Sequence, residues 1–292
     1  MQVPLPAELD EALRRSGPRL GPFGRHLTYF DQVGSTNDIA ARLAARGAEE
    51  GTVVVAESQT AGRGRRGREW CSPAGAGLYV SAVLRPGGAD ARDARQMASL
   101  ITLMSGVAIA GGVRAATGLP VELKWPNDVV IGRPWRKVAG ILAEASTSAG
   151  GLDYAILGFG INVRPAQYPA ALAGRATSLE AEVGRPVDAW QVLVEALVEL
   201  AARYGELRDG GTATLLERWR ALAPGSRGGS VEWQSSDGAH RGIAEGVDDE
   251  GALLVRVGSR VERIVAGEVK WLSSEGTRNE VRGGTRGQER VE

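Results

Sequence analysis

Residues 62–70 read Gly62-Arg63-Gly64-Arg65-Arg66-Gly67-Arg68-Glu69-Trp70, between two compact apolar runs, Thr52–Glu57 and Leu78–Leu84. Their three glycines permit turns closed to other side chains and let main-chain N–H groups come close to a ligand. The four arginines add fixed cationic forks matched to phosphate or carboxylate oxygens. Their mutual repulsion predicts a loop that is mobile when empty and ordered by an anion. An RGG-like nucleic-acid segment or a solvated turn has the same composition. Its place between two strands, closed by Trp70, favours a pocket lid.

Working outward, residues 26–33 alternate like a half-buried strand, and Ser35-Thr36 then open a helix running to about Arg46. Beyond the loop, an Ala-rich helix is predicted over about Asp93 to Ala116. Strands follow at Val121–Leu123, Val129–Ile131, Val138–Ala145 and Tyr154–Val163, with helices over Asp188–Tyr204 and Thr214–Leu222. From Pro224 the texture changes to short apolar runs parted by turns at Asp237-Gly238 and Glu250-Gly251, the pattern of a small SH3-like β-barrel. Strands and helices without strict βαβ alternation imply an α+β fold, with a mixed-sheet main domain over 1–223 and the barrel over 224–273. The tail, 274–292, has no apolar periodicity and is expected to be disordered.

Bulk composition narrows the function classes. Lys plus Arg number 35 and Asp plus Glu 35, so charge points to neither nucleic acid nor a membrane surface as the main partner. The single cysteine, Cys71, cannot form an internal disulfide, which fits a reducing, cytoplasmic setting. The first residues are too acidic for a secretory signal. No run is expected to reach the roughly 18 apolar residues of a membrane span.

Three more segments carry chemistry. Lys124-Trp125-Pro126-Asn127-Asp128 sets a cation, an amide and a carboxylate on one turn between strands, with Asp128 suited to Mg²⁺ beside a triphosphate. An ordinary Pro-Asn-Asp turn has the same residues. Lys137-Val138-Ala139-Gly140-Ile141-Leu142-Ala143-Glu144 places a lysine at the mouth of an apolar strand, where Gly140 leaves room for a ligand. In Gly158-Phe159-Gly160-Ile161-Asn162-Val163 the glycines again clear space, and Asn162 can both donate and accept, as adenine requires. Either segment alone could be a strand with a bulge. His26 and His240 stand apart and are not expected to bind metal. Among the tryptophans, Trp70 and Trp125 stand nearest the motifs.

Taken in order, Ser35-Thr36-Asn37, Gln59, the arginine loop and these three segments resemble the signature run of biotin–protein ligases, over roughly residues 26–180. No Walker loop or Rossmann fingerprint competes. The resemblance implies ATP- and Mg²⁺-dependent conversion of biotin to biotinyl-5′-AMP, then transfer to a lysine of a biotin carboxyl carrier domain. It implies that Ser35, Thr36, Asn37 and Gln59 hold the ureido ring, and that Arg63, Gly64 and Arg65 cover the carboxylate and α-phosphate. Gly140, Gly158 and Gly160 would line the biotin slot. Lys137 becomes an electrostatic catalyst at the carboxylate–phosphate junction, with Arg63 beside it. Arg65, Arg66, Arg68, Trp70, Lys124, Asn127 and Asn162 would serve the nucleotide, and Asp128 the metal.

Some relatives carry an N-terminal helix-turn-helix. Only about 25 residues precede the first expected strand here, so neither DNA binding nor repression is expected. An adenine-stacking aromatic near Ala176 is missing, and the barrel's closing run, Gly267-Glu268-Val269-Lys270-Trp271-Leu272, leaves open which residue reaches the nucleotide. Family members often pair through sheet edges, which makes a homodimer plausible. A lipoate–protein ligase is the nearest alternative, and a non-enzymatic RNA-binding module a distant one. The latter predicts affinity falling steeply with salt.

Overall fold

The computed structural model describes residues 1–86, 94–148, 151–235, 238–265, 267 and 269–272. The tail expected to be disordered, Asp237, Glu268 and the helix start at Asp93 lie outside the described residues. Eight strands form the main sheet: β1 (Gln2–Val3), β2 (Leu27–Val33), β3 (Val53–Gln59), β4 (Gly77–Leu84), β5 (Glu122–Lys124), β6 (Asp128–Ile131), β7 (Arg136–Ser148) and β8 (Gly151–Asn162). Their order across the sheet is β1-β2-β3-β4-β8-β7-β6-β5. Strands β2 and β3 run parallel and every other neighbouring pair antiparallel, so the sheet is mixed.

Strand alternation assigns the two faces. Val53 and Val55, Val80 and Ala82, and Leu157 and Phe159 join one large core with the helices α1 (Ala7–Ser16), α3 (Ala94–Thr117), α5 (Ala189–Arg208) and α6 (Thr212–Leu222). The intervening Val54, Val83 and Ile156 point the other way, onto α2 (Thr36–Ala45). Further along that second face the apolar cover stops. There the strands present Ser81, Gly158, Gly160 and Gly140, and the site forms over them. Burying both faces explains why these strands read as continuous apolar runs rather than alternating ones.

Two local expectations change. α2 forms as expected, but the Ser35 side chain makes no capping bond. The Thr36 N–H, a donor that an N-cap normally leaves open, goes instead to Gln59 Oε1 at 2.9 Å. By length and apolar composition α3 does reach membrane-span range over Gln96–Thr117, against expectation, yet most of that window is buried within the chain. It is the core helix beneath the sheet. The strand β1 and the short helix α4 (Leu179–Val183) carry too few residues to show a period.

Beyond α6 the chain forms five antiparallel strands, β9 (Arg227–Ser235), β10 (Gly238–Val247), β11 (Leu253–Val257), β12 (Arg260–Ile264) and β13 (Val269–Trp271), in the order β12-β11-β10-β9-β13. Val231, Ala244, Leu253 and Val255 of this module belong to the same buried core as α3 and α6.

Candidate active site

The arginine loop folds as a tight hairpin. Trp70 N–H donates to Gly62 O at 2.9 Å, Gly64 N–H donates to Arg68 O at 2.7 Å, and the backbones of Arg63 and Glu69 form an antiparallel bridge. Arg66 takes a left-handed conformation, φ 58°, which a non-glycine residue adopts only at a cost. The loop overhangs a cavity of about 300 Å³, small for a ligand pocket. All the expected site residues line it: Ser35, Thr36, Asn37, Gln59, the loop, Lys124, Asn127, Asp128, Lys137, Gly140, Gly158, Gly160 and Asn162.

Lys137 reaches the cavity through a β-bulge. Val129 faces Ala139 across β6 and β7, but Val130 faces Lys137, so Val138 is an extra residue. Without it Lys137 would point to the α3 side of the sheet; with it, Lys137 shares a face with Asp128 and Gly140. Its Nζ lies 2.5 Å from Asp128 Oδ1 and 5.0 Å from the Trp70 ring centroid.

The glycines make room, but the chain itself fills it. A Cβ on Gly158 would stand 2.1 Å from Asn37 Oδ1, and one on Gly160 would stand 2.3 Å from Trp70 Nε1. One on Gly140 would meet Lys137 and Trp70 at 2.8 Å. The Trp70 indole therefore lies along the slot, and its buried Nε1 has no hydrogen-bond partner. An unpartnered buried donor at this point fits a side chain that shifts when a ligand enters.

A polar chain runs beneath the loop. Thr36 Oγ1 donates to Gln59 Oε1 at 3.1 Å, Gln59 Nε2 to Ser72 Oγ at 2.8 Å, and Ser72 Oγ to Trp70 O at 3.0 Å. Ser81, fully buried on β4, lies within donating distance of Asn37 Oδ1 (2.6 Å) and Thr36 Oγ1 (2.8 Å). Sequence reading passed over Ser81, although a lone hydroxyl in the apolar run LYVSAVL must find a partner once buried. It passed over Asp38 too and gave no role to Glu144, and both of these bond Arg63.

Other expected residues are tied to the backbone. Asn162 Nδ2 donates to Thr177 O at 3.0 Å and Asn127 Nδ2 to Ile141 O at 2.8 Å, so each amide nitrogen holds a neighbouring segment in place. Arg65 is partly buried. Burial lowers its guanidinium pKa, Arg66 adds to this, and Asp128 opposes it. Arg65 has no ion-pair partner among the described residues. Trp135, Tyr168 and Arg175 also line the cavity, and the C-terminal module contributes Gly267, Val269 and Lys270. Trp125 is a docking residue: its Nε1 donates to Gly251 O of that module at 3.1 Å.

The geometry agrees with three comparisons. Residues 29–162 match the Biotin/lipoate A/B protein ligase family, and residues 230–270 the Biotin protein ligase C terminal domain. The chain is 37% identical over 240 residues to the biotin–[acetyl-CoA-carboxylase] ligase of Paracoccus denitrificans, covering 80% of this chain and 96% of that protein. The chain belongs to the biotin protein ligase family. The Mycobacterium tuberculosis biotin–[acetyl-CoA-carboxylase] ligase is 36% identical, over 89% of this chain and 95% of that one. The Bacillus subtilis bifunctional ligase/repressor BirA is 34% identical, over 91% of this chain and 80% of that one. In structure, the Aquifex aeolicus biotin protein ligase solved with biotin and ATP superimposes at a TM-score of 0.71 with 29% identity. The match covers 86% of this biotin ligase family member and all of that chain.

Proposed function

We propose that this protein joins biotin to a lysine of a biotin carboxyl carrier domain by way of biotinyl-5′-AMP. The observation that carries this reading is the convergence of Arg65 and Lys137 on a slot whose far end is the Thr36–Asn37–Gln59 polar network. The network suits the ureido ring and the two cations suit the carboxylate and α-phosphate. In the first step a biotin carboxylate oxygen attacks the α-phosphorus of ATP, and the bond to the pyrophosphate oxygen breaks. The two anions repel each other, so the cations must hold them aligned. Negative charge grows on the α-phosphate and the departing oxygen, and Lys137 and Arg65 stabilise it. In the second step the neutral acceptor amine attacks the carbonyl carbon of the anhydride, AMP leaves, and the amine loses its proton. The closed loop keeps water from the anhydride.

Asp128 is the acidic residue best placed for Mg²⁺. One carboxylate plus substrate phosphates is a common donor set for this ion, which would neutralise the charge of the departing pyrophosphate. Lys137 Nζ bonds Asp128, so a metal ion held by that carboxylate would compete with the lysine for it. Lys124, Asn127 and Asn162, with Arg66, Arg68 and Trp70, frame the nucleotide end. Lys270, a basic residue that β13 brings to the cavity, supports a contribution of the barrel to the nucleotide end. A division at Pro224, a homodimer and a cytoplasmic setting belong to the same reading.

Pyrophosphate release with Mg-ATP and biotin, with lipoate, and with no acid tests it. Biotin-dependent release, followed by label transfer to a carrier domain, is expected. Release with lipoate alone would replace the substrate, and release with neither would overturn the reading.

A further inference from the structure

Ser81 lies in β4 with its side chain fully buried, beneath two residues that line the cavity, Thr36 and Asn37. Strand alternation turns it to the α2 side of the sheet, opposite Gly158 of β8. The Asn37 amide oxygen fills the space that a side chain at Gly158 would take. Ser81 Oγ stands 2.6 Å from Asn37 Oδ1 and 2.8 Å from Thr36 Oγ1, and Thr36 Oγ1 stands 3.1 Å from Gln59 Oε1. Four oxygens thus lie in a row, from Gln59 through Thr36 and Ser81 to Asn37. The protons they share decide what the row can offer a ligand.

Both ends of the row only accept. Gln59 is oriented by donating Nε2 to Ser72 Oγ at 2.8 Å and by taking the Thr36 N–H on Oε1 at 2.9 Å. Asn37 is oriented by donating Nδ2 to the Glu144 carboxylate at 2.7 Å, which leaves its oxygen for Ser81. The two hydroxyls between these ends hold one proton each, against three contacts. Whichever contacts take them, both protons are spent inside the row. Turning the Thr36 proton into the cavity would leave a second buried contact of bare oxygens, at the cost of a hydrogen bond. We infer that Ser81 is a positioning residue that fixes the polarity of the slot's far end, making Thr36 an acceptor that selects a ring carrying an N–H. This deepens the biotin ligase reading and rests on it. A ureido ring offers such a donor and the dithiolane ring of lipoate offers none, so Ser81 acts on the choice between the two acids without touching either.

Isothermal titration of the full chain with biotin, and with the two cyclic carbamates that carry oxygen in place of one or the other ureido N–H, tests this. The wild type should bind biotin and bind at least one carbamate about 100-fold or more weakly, because a site built to accept an N–H is left with facing oxygens. Ser81→Ala strips Asn37 Oδ1 of its buried donor and leaves Thr36 held inward by the longer contact alone. Biotin affinity should then fall about tenfold, and the gap between biotin and that carbamate should narrow about tenfold as Thr36 gains freedom to donate. Ser81→Cys keeps a weak donor and should fall between. In pyrophosphate release, Ser81→Ala should raise KM for biotin about tenfold with kcat and KM for ATP near wild type. A merely structural role would weaken every ligand together and leave the ratio where it was. An unmoved ratio in folded Ser81→Ala, with biotin still bound by the wild type, would overturn this inference alone. So would a wild type that binds both carbamates as tightly as biotin, a result that needs no variant to fold. Failure of the folded wild type to bind biotin would sink the biotin reading and this inference with it.

Discussion

At Gly158 the place of a methyl group is already taken by the Asn37 amide oxygen, 2.1 Å from the ideal Cβ position. Alanine there must push Asn37 off both Ser81 and Glu144. Gly158→Ala is therefore expected to weaken biotin binding by one to two orders of magnitude, about 1–3 kcal/mol, through loss of buried hydrogen bonds. Isothermal titration with biotin checks it, and unchanged affinity would mean that Asn37 does not touch the ligand. Lys137 works differently, because it meets charge that develops during reaction. Lys137→Ala should cut pyrophosphate release about 100-fold or more while leaving the melting temperature within a few degrees of wild type. Release at the wild-type rate would remove Lys137 from catalysis.

Among the elements, the turn between β10 and β11 ties the C-terminal module to the site. Asp248 Oδ1 accepts the Glu250 and Ala252 N–H groups at 2.9 Å each, and Arg263 bonds Oδ2. The turn so held presents Gly251 O to the Trp125 indole. Trp125→Phe keeps an aromatic side chain but removes that bond and leaves a small cavity, so a stability loss of about 1–3 kcal/mol is expected in chemical denaturation. A matching rise in KM for ATP would show that docking also shapes the nucleotide end. Burial pushes the Asp248 carboxyl up, but the Arg263 bond and the two backbone donors outweigh it and hold the group below its ordinary value. A depressed folded-state value stabilises above the ordinary carboxylate range, near pH 4, and that contribution is lost as pH falls through the folded value. Asp248→Asn should therefore melt below wild type at pH 7, and the two should converge in acid. A gap that persists or widens below pH 4 would contradict this.

On the scale of the whole molecule, helices close one face of the sheet, and α2 covers only part of the other, leaving the rest for chemistry. The C-terminal module seals one end of that opening. Trp135, at the tip between β6 and β7, packs edge-on against Trp271 with ring centroids 5.6 Å apart, and Trp271 Nε1 reaches Trp125 O at 3.4 Å. A Cβ on Gly225 would collide with Trp135 at 2.2 Å, so the chain leaves the main domain pressed against this ring.

Much of this was legible in the amino-acid order. Strand and helix positions followed from β-branched runs and helical spacing, and the glycine–arginine loop with its companion motifs named the family. Local chemistry determined these, because turn residues, apolar period and charge act over a few positions. The rest needed the fold. That Val138 bulges to turn Lys137 into the cavity depends on its pairing with β6, not on its neighbours in the chain. That Glu144 and Asp38 neutralise Arg63 depends on bringing together segments up to 106 positions apart. And that the glycines shelter Asn37 and Trp70 depends on which side chain arrives first at each gap. Sequence by itself determined which chemical groups the site would hold. Tertiary structure decided which of them face the ligand and which face one another, because pairing partners are set by distance in space.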